Sequence, residues 1–145
     1  MDKVEAGRRA NLAREERGLT WEAIADAISR PPVWTVAAIL GQHPIPETEA
    51  GRIAKLLGLG EEAVAAFRRQ PSRTADPATQ TDPTIYRFHE ALQVYGPAIK
   101  ELIHEEFGDG IMSAINFNLT VERRADPKGD RVVVTFDGKF LAYEW

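Results

Sequence analysis

The sequence contains no cysteine. That excludes disulfide staples, thiolate nucleophiles and cysteine-ligated metals, and it fits a reducing compartment. Long apolar runs are also missing, so no segment reads as a membrane span, which needs roughly 20 apolar residues. The first eighteen residues, MDKVEAGRRANLAREERG, are charged throughout and hold no apolar stretch of the kind a secretory leader needs. No membrane partner is expected, and the cytoplasm is the expected location. A surplus of positive charge is lacking too. Residues 1–70 carry ten basic and ten acidic side chains, and the whole chain has a formal net charge of −4. Neither half offers the basic surface that binding to a phosphate backbone demands, so no nucleic-acid partner is expected. What remains is a chain of 145 residues, 43% hydrophobic and 28% charged, a balance that lets it bury a core and stay globular.

The first seventy residues read as a bundle of five short helices. Residues 3–17 form a charged helix with few apolar positions, Val4, Ala6, Ala10, Leu12 and Ala13, ended by Gly18. Thr20 is an N-cap for a second helix, whose buried face is Trp21, Ile24, Ala25 and Ile28. Pro31 and Pro32 stop that helix and open a third, with Val33, Val36, Ala37 and Leu40 as its stripe and Gly41 as its end. A fourth covers 47–57 with Ala50, Ile53, Ala54 and Leu57 inside, and a fifth covers 61–69. Residues 19–41 have the helix–break–helix spacing of a repressor-type helix-turn-helix, so a DNA-binding regulator is the alternative function. Its candidate recognition helix, PPVWTVAAILG, has no Lys, Arg, Asn or Gln to read base edges. Residues 71–81 are rich in Pro, Ser, Thr and Ala and read as a linker arm, long enough to reach a neighbouring subunit. The domain boundaries expected are therefore 1–70, 71–81 and 82–145.

Residues 82–145 hold the chemistry. Asp82 and Pro83 start a long helix, and Ile85, Phe88, Leu92, Tyr95, Ile99 and Leu102 recur at alternating spacings of three and four, the pattern of a helix packed along a seam. Gly96-Pro97 predicts a kink or break within it, and Gly108 ends it. In IMSAINFNLTV, alternation puts Ile111, Ser113, Ile115, Phe117, Leu119 and Val121 on one face of a strand. Asp126-Pro127-Lys128-Gly129 turns into a second strand over 131–136, and Asp137-Gly138 turns into a third over 139–141. Such a small antiparallel sheet needs completion by a partner subunit. The fold class is α+β.

Three polar residues stand out there. Arg87 and Glu90, three apart on the helix, form either a routine surface ion pair or an anion-binding arginine oriented by a carboxylate. Ser113 is the only polar residue on its strand face, and a buried hydroxyl needs a partner. That partner is a backbone carbonyl or a bound anion, the latter helped by free amides at Gly108-Asp109-Gly110. His43, His89 and His104 share no metal-ligand spacing, so no metal is expected.

The run DPTIYRFHEALQVYGPAIKELIHEEFGDGIMSAINF resembles the signature of the cyanase (cyanate hydratase, cyanate lyase) family, most specifically in YRF-x-E, Q-x-YG and FGDGIMSAI. LTWEAIADAI, VWTVAAILGQHPIP and KLLGL extend the resemblance through the N-terminal half. The resemblance implies a repressor-like N-terminal bundle not used on DNA, and a C-terminal domain interlocked with a partner's. It also implies a homodecamer built from five dimers, with active sites between subunits. The implied reaction joins cyanate and bicarbonate, loses carbon dioxide to leave carbamate, and yields ammonia, with bicarbonate as co-substrate and no cofactor. The family's catalytic arginine, glutamate and serine fall on Arg87, Glu90 and Ser113. His89 stands where the family usually has tyrosine; it reads as a packed or interfacial histidine, with a titrating role near the site as the alternative. His43 and His104 read as loop and helix-surface residues.

Overall fold

The structure, a computed structural model, describes residues 1–73 and 76–144. Residues 74 and 75 of the expected arm and Trp145 of the expected C-terminal domain lie outside the described residues. Seven helices precede a two-stranded antiparallel sheet among the described residues, so the fold is α+β as expected. By contacts the chain divides into two units. One comprises residues 1–73 with 119–135, the other 74–118 with 136–145.

The first unit contains the five helices α1 (Lys3–Glu16), α2 (Trp21–Ile28), α3 (Pro32–Ile39), α4 (Glu47–Leu57) and α5 (Glu61–Arg68). Their starts follow the local chemistry. Asp2 caps α1 by accepting the Glu5 amide at 2.8 Å, and Thr20 caps α2 by accepting the Ala23 amide at 3.1 Å. The core is small and mostly aliphatic, with Phe67 as its largest buried side chain: Ala6, Ala10, Ile24, Ile28, Ile39, Ile53 and Leu57 are among its other buried members. Ile24, Ala25 and Ile28 of α2 and all four expected positions of α4 are buried, while Trp21 packs on the core from its edge.

The third helix corrects the sequence reading. Its buried residues are Thr35, Ala38 and Ile39, while Val33, Val36 and Ala37 are half-buried and Leu40 is exposed. Two contacts set this phase. The Thr35 hydroxyl donates to the Pro31 carbonyl at 3.0 Å, which lets a polar side chain sit inside. A Cβ added at Gly7 would lie 2.7 Å from the Ile39 carbonyl oxygen, so α1 approaches that side of α3 at backbone distance. On α1 itself, Ala6, Ala10 and Ala13 are buried as expected, but Val4 and Leu12 are exposed.

In the second unit a short helix, α6 (Pro77–Thr81), occupies part of the segment read as an arm. It is capped by Asp76, whose carboxylate accepts the Ala78 amide at 2.9 Å. α7 (Pro83–Phe107) follows. Asp82 caps it through the Thr84 and Ile85 amides at 2.8 and 3.1 Å, with Pro83 in its first turn. Of the kink or break expected at Gly96-Pro97, the break does not occur: α7 stays helical through Pro97. Its twenty-five residues supply enough surrounding hydrogen bonds to carry one missing donor, a loss of about 3 kcal/mol or more.

Strands β1 (Gly110–Arg124) and β2 (Arg131–Ala142) form the sheet. The expected turn between them is present: the Gly129 amide donates to the Asp126 carbonyl at 3.0 Å and the Lys128 amide to the Asp126 carboxylate at 2.9 Å. A third strand is not formed. β2 runs unbroken through Asp137-Gly138, because the Gly138 backbone packs closely against residues 112 and 113 of β1 rather than reversing the chain.

Candidate active site

The α7 helix presents Arg87 and Glu90 on adjacent turns. An Arg87 Nη donates to a Glu90 carboxylate oxygen at 2.9 Å, as i,i+3 spacing allows. Both side chains are mostly exposed on the single chain, at 67% and 54%. In water such a pair contributes about 0–1 kcal/mol, so stability alone gives it little purpose. The bond uses one nitrogen of a guanidinium that carries five N–H donors in a rigid fork, leaving capacity for an anion. The Tyr86 ring lies 5.8 Å from the Arg87 guanidinium carbon.

Ser113 is placed differently. Among the described residues of the second unit only Gly110 and Ser113 are buried, and Ser113 retains 7% of its accessible surface. Its oxygen has two partners that the sequence did not suggest. The Ser113 Oγ accepts the backbone amides of Ile115 and Asn116 at 3.1 and 2.9 Å. Residues three apart on a straight strand are separated by about 10 Å, so β1 must curl locally for the Asn116 amide to reach that oxygen. The curl also breaks the expected alternation. Ser113 is buried, Phe117 and Leu119 are half-buried, and Ile111, Ile115 and Val121 are exposed, Ile115 almost fully.

A serine hydroxyl has two acceptor lone pairs and one donor proton. With two amides on its oxygen, the capacity left to Ser113 is donation, which suits an acceptor such as an anion. Of the turn expected to offer free amides, Gly108 is committed, since its N–H closes α7 on the His104 carbonyl at 3.0 Å. Asp109 contributes its carbonyl, which accepts the Tyr143 amide at 3.1 Å. Arg87 and Glu90 are thus brought together directly. Ser113 sits on another element of the same unit, bonded to its own strand.

The histidines fall apart into separate settings. His89 is exposed, so it is not packed within its own chain. The His104 ring bonds the Gly108 carbonyl at 2.9 Å through Nδ1. His43 stacks on Trp34 with centroids 5.8 Å apart, and burial, then Arg73 and Lys3, push its pKa down. Among the described residues no group of three or more His, Asp or Glu is placed to hold a metal ion, and no helix is long and apolar enough to cross a membrane. Sequence reasoning missed the amide pair on Ser113, which has no side-chain signature. It also misread Gly138 as a turn, although an isolated glycine in a strand pattern signals close backbone approach.

Comparison with known proteins places this geometry in a family. Residues 77–145 match the family described as Cyanate lyase C-terminal domain, and residues 6–71 match Cyanate hydratase, N-terminal. The chain is 60% identical over 146 residues to a cyanate hydratase of Mycolicibacterium vanbaalenii, covering 100% of this chain and 95% of that one. It is 45% identical over 144 residues to a cyanate hydratase of Marinomonas sp., covering 99% of each. A crystal structure of cyanase from T. urticae superposes with a TM-score of 0.85 at 38% identity, covering 94% of this chain and 96% of that one. The α3 helix, meanwhile, carries no basic or amide side chain, so the DNA-binding alternative is not favoured. With both halves matched, and relatives this similar along the full length, the chain belongs to the cyanate hydratase (cyanate lyase) family of enzymes.

Proposed function

We propose that the chain decomposes cyanate in a bicarbonate-dependent reaction through carbamate. Cyanate, bicarbonate and one proton combine; the adduct loses carbon dioxide and leaves carbamate. Carbamate takes up a second proton and breaks into ammonia and a second carbon dioxide. Arg87 and Ser113 hold the two anions, and Glu90 orients Arg87 rather than touching an anion itself. The scheme needs no metal or organic cofactor, since bicarbonate is the only co-substrate.

The observation that carries this reading is the Ser113 hydroxyl: buried, its oxygen accepting two amides, its proton left to donate. A hydroxyl so engaged is a poor nucleophile and a good donor to negative charge. That favours catalysis by proximity and electrostatic stabilisation over a covalent serine intermediate. The guanidinium of Arg87 adds the fixed positive charge that two like-charged reactants need before they can approach.

The site lies between subunits in this reading. The second unit buries almost nothing by itself, and its long helix exposes Phe88, Leu92, Tyr95, Ile99 and Leu102 along one stripe. An apolar stripe of this extent calls for a protein partner, and a second copy of the chain is the economical one. Interlocked C-terminal halves and five dimers in a homodecamer are the proposed assembly, with His89 at an interface. The absence of cysteine supports a cytoplasmic setting, where the reaction would detoxify cyanate or release its nitrogen.

The residue roles are tested by ammonia release from Arg87→Lys and Ser113→Ala, with the oligomeric state followed by sedimentation. Loss of activity in both, with assembly intact, is expected. Full activity in either removes that residue from the anion site.

A further inference from the structure

Gly138 sits inside β2 in a run of strand-forming residues, and its backbone makes no turn. A Cβ built there would fall 2.5 Å from the carbonyl oxygen of Ser113, would meet Met112 Cγ closer still, and would lie 3.0 Å from Met112 Sδ. The methionine is flexible and can swing aside. The carbonyl is backbone and cannot yield without moving Ser113 itself. The same short segment is also held by the Ile115 and Asn116 amides on the Ser113 hydroxyl.

Building on the proposed role of Ser113 as donor to a substrate anion, we infer that Gly138 is a positioning residue of this reaction. Its missing side chain lets β2 lie against the Ser113 backbone and fixes where the hydroxyl proton points. The residue touches no substrate; it acts through Ser113. A donor displaced by an ångström loses most of its effect on developing charge, because such sites tolerate errors of about half that. The lost side chain also explains why a residue with poor strand propensity stands mid-strand.

The test uses the full chain on a Met112→Ala background, which removes the side-chain collision and leaves only the one with the Ser113 carbonyl, so that folding is preserved. Met112→Ala, Met112→Ala/Gly138→Ala, Met112→Ala/Ser113→Ala and the triple variant are compared by ammonia release and by inhibition with azide, a linear monoanion isoelectronic with cyanate. Oligomeric state and thermal midpoint are followed in parallel. Adding Gly138→Ala is expected to lower kcat/KM about 100-fold, the scale of losing one preorganised donor. Azide inhibition weakens with it, and the triple variant is little worse than either pair, because both changes disable one donor. Activity and azide inhibition equal to those of Met112→Ala alone would overturn the inference. So would losses that multiply in the triple variant, which would mean Gly138 acts independently of Ser113. Undiminished activity in Met112→Ala/Ser113→Ala would instead overturn the role given to Ser113, and this inference with it.

Discussion

At the scale of single residues, the proposed chemistry rests on two groups with opposite surroundings. Arg87 is exposed and shares one donor with Glu90, whereas Ser113 is buried and bonded to its own backbone. If Glu90 only orients the guanidinium, Glu90→Gln keeps an acceptor at the same place and loses less than Arg87→Lys, which removes the fork geometry. Steady-state ammonia assays should give Glu90→Gln a kcat/KM about tenfold below wild type, against a loss of about 100-fold or more for Arg87→Lys. Equal losses would give Glu90 a direct part in the chemistry. These residues stood out as candidates in the sequence because each sits in a distinctive local pattern: an i,i+3 pair beside a seam, and one hydroxyl on an expected apolar face. The two amides on Ser113 were not legible, because they depend on a backbone curl that no side chain announces.

At the scale of elements, capping residues and stop signals predict the helices well. Thr20 and Asp82 accept the amides expected of them, and Asp2 caps α1 in the same way without having been singled out in the sequence. The buried phase of α3 was hidden because Val33, Val36 and Ala37 look like the better stripe, whereas the Thr35 bond to Pro31 and the close passage of Gly7 past Ile39 select the other side. Gly7→Ala therefore sets two effects against each other. Alanine gains about 0.5–1 kcal/mol of helix propensity, but forcing a methyl into a packed crossing costs about 1–3 kcal/mol. Net destabilisation is expected in urea unfolding, and a stabilised variant would mean that α1 and α3 separate freely.

The His43 loop offers a pH test at the same scale. Burial, then Arg73 and Lys3, lower the His43 pKa from its ordinary 6.5, so the unfolded chain binds this proton more readily than the folded one. Its contribution to stability is complete above pH 6.5 and shrinks as the pH falls below that value towards the lowered folded value. Thermal midpoints measured between pH 7.5 and 5.5 should fall less steeply for His43→Gln than for wild type. Identical slopes would show that His43 protonates as easily folded as unfolded.

At the scale of the whole molecule, the two units differ in self-sufficiency. The helical bundle owns a continuous, mostly aliphatic core. Among its described residues the unit carrying Arg87, Glu90 and Ser113 buries only Gly110 and Ser113, while Leu92, Tyr95 and Leu102 expose more than half their surface. The three-four spacing of that stripe showed in the sequence that α7 packs along a seam. What covers the seam was not legible from spacing, since any apolar helix face fits such a pattern. With each buried leucine contributing about 1.5–3 kcal/mol, and an uncompensated carboxylate costing more, Leu92→Asp should dissociate a self-associated chain into smaller species in sedimentation velocity and lower ammonia release in step. An unchanged sedimentation coefficient would leave the α7 stripe outside the assembly. The reading of β2 failed at this scale too: Asp137-Gly138 has the composition of a turn, and only the partner strand shows why it stays extended.

The most direct test of the central claim is ammonia release from the purified chain given cyanate, with bicarbonate either supplied or stripped out. Release that rises with bicarbonate and vanishes without it is the predicted result. Ammonia released at the same rate in the absence of bicarbonate would contradict the two-anion mechanism, and no release under either condition from the assembled protein would contradict the proposed activity.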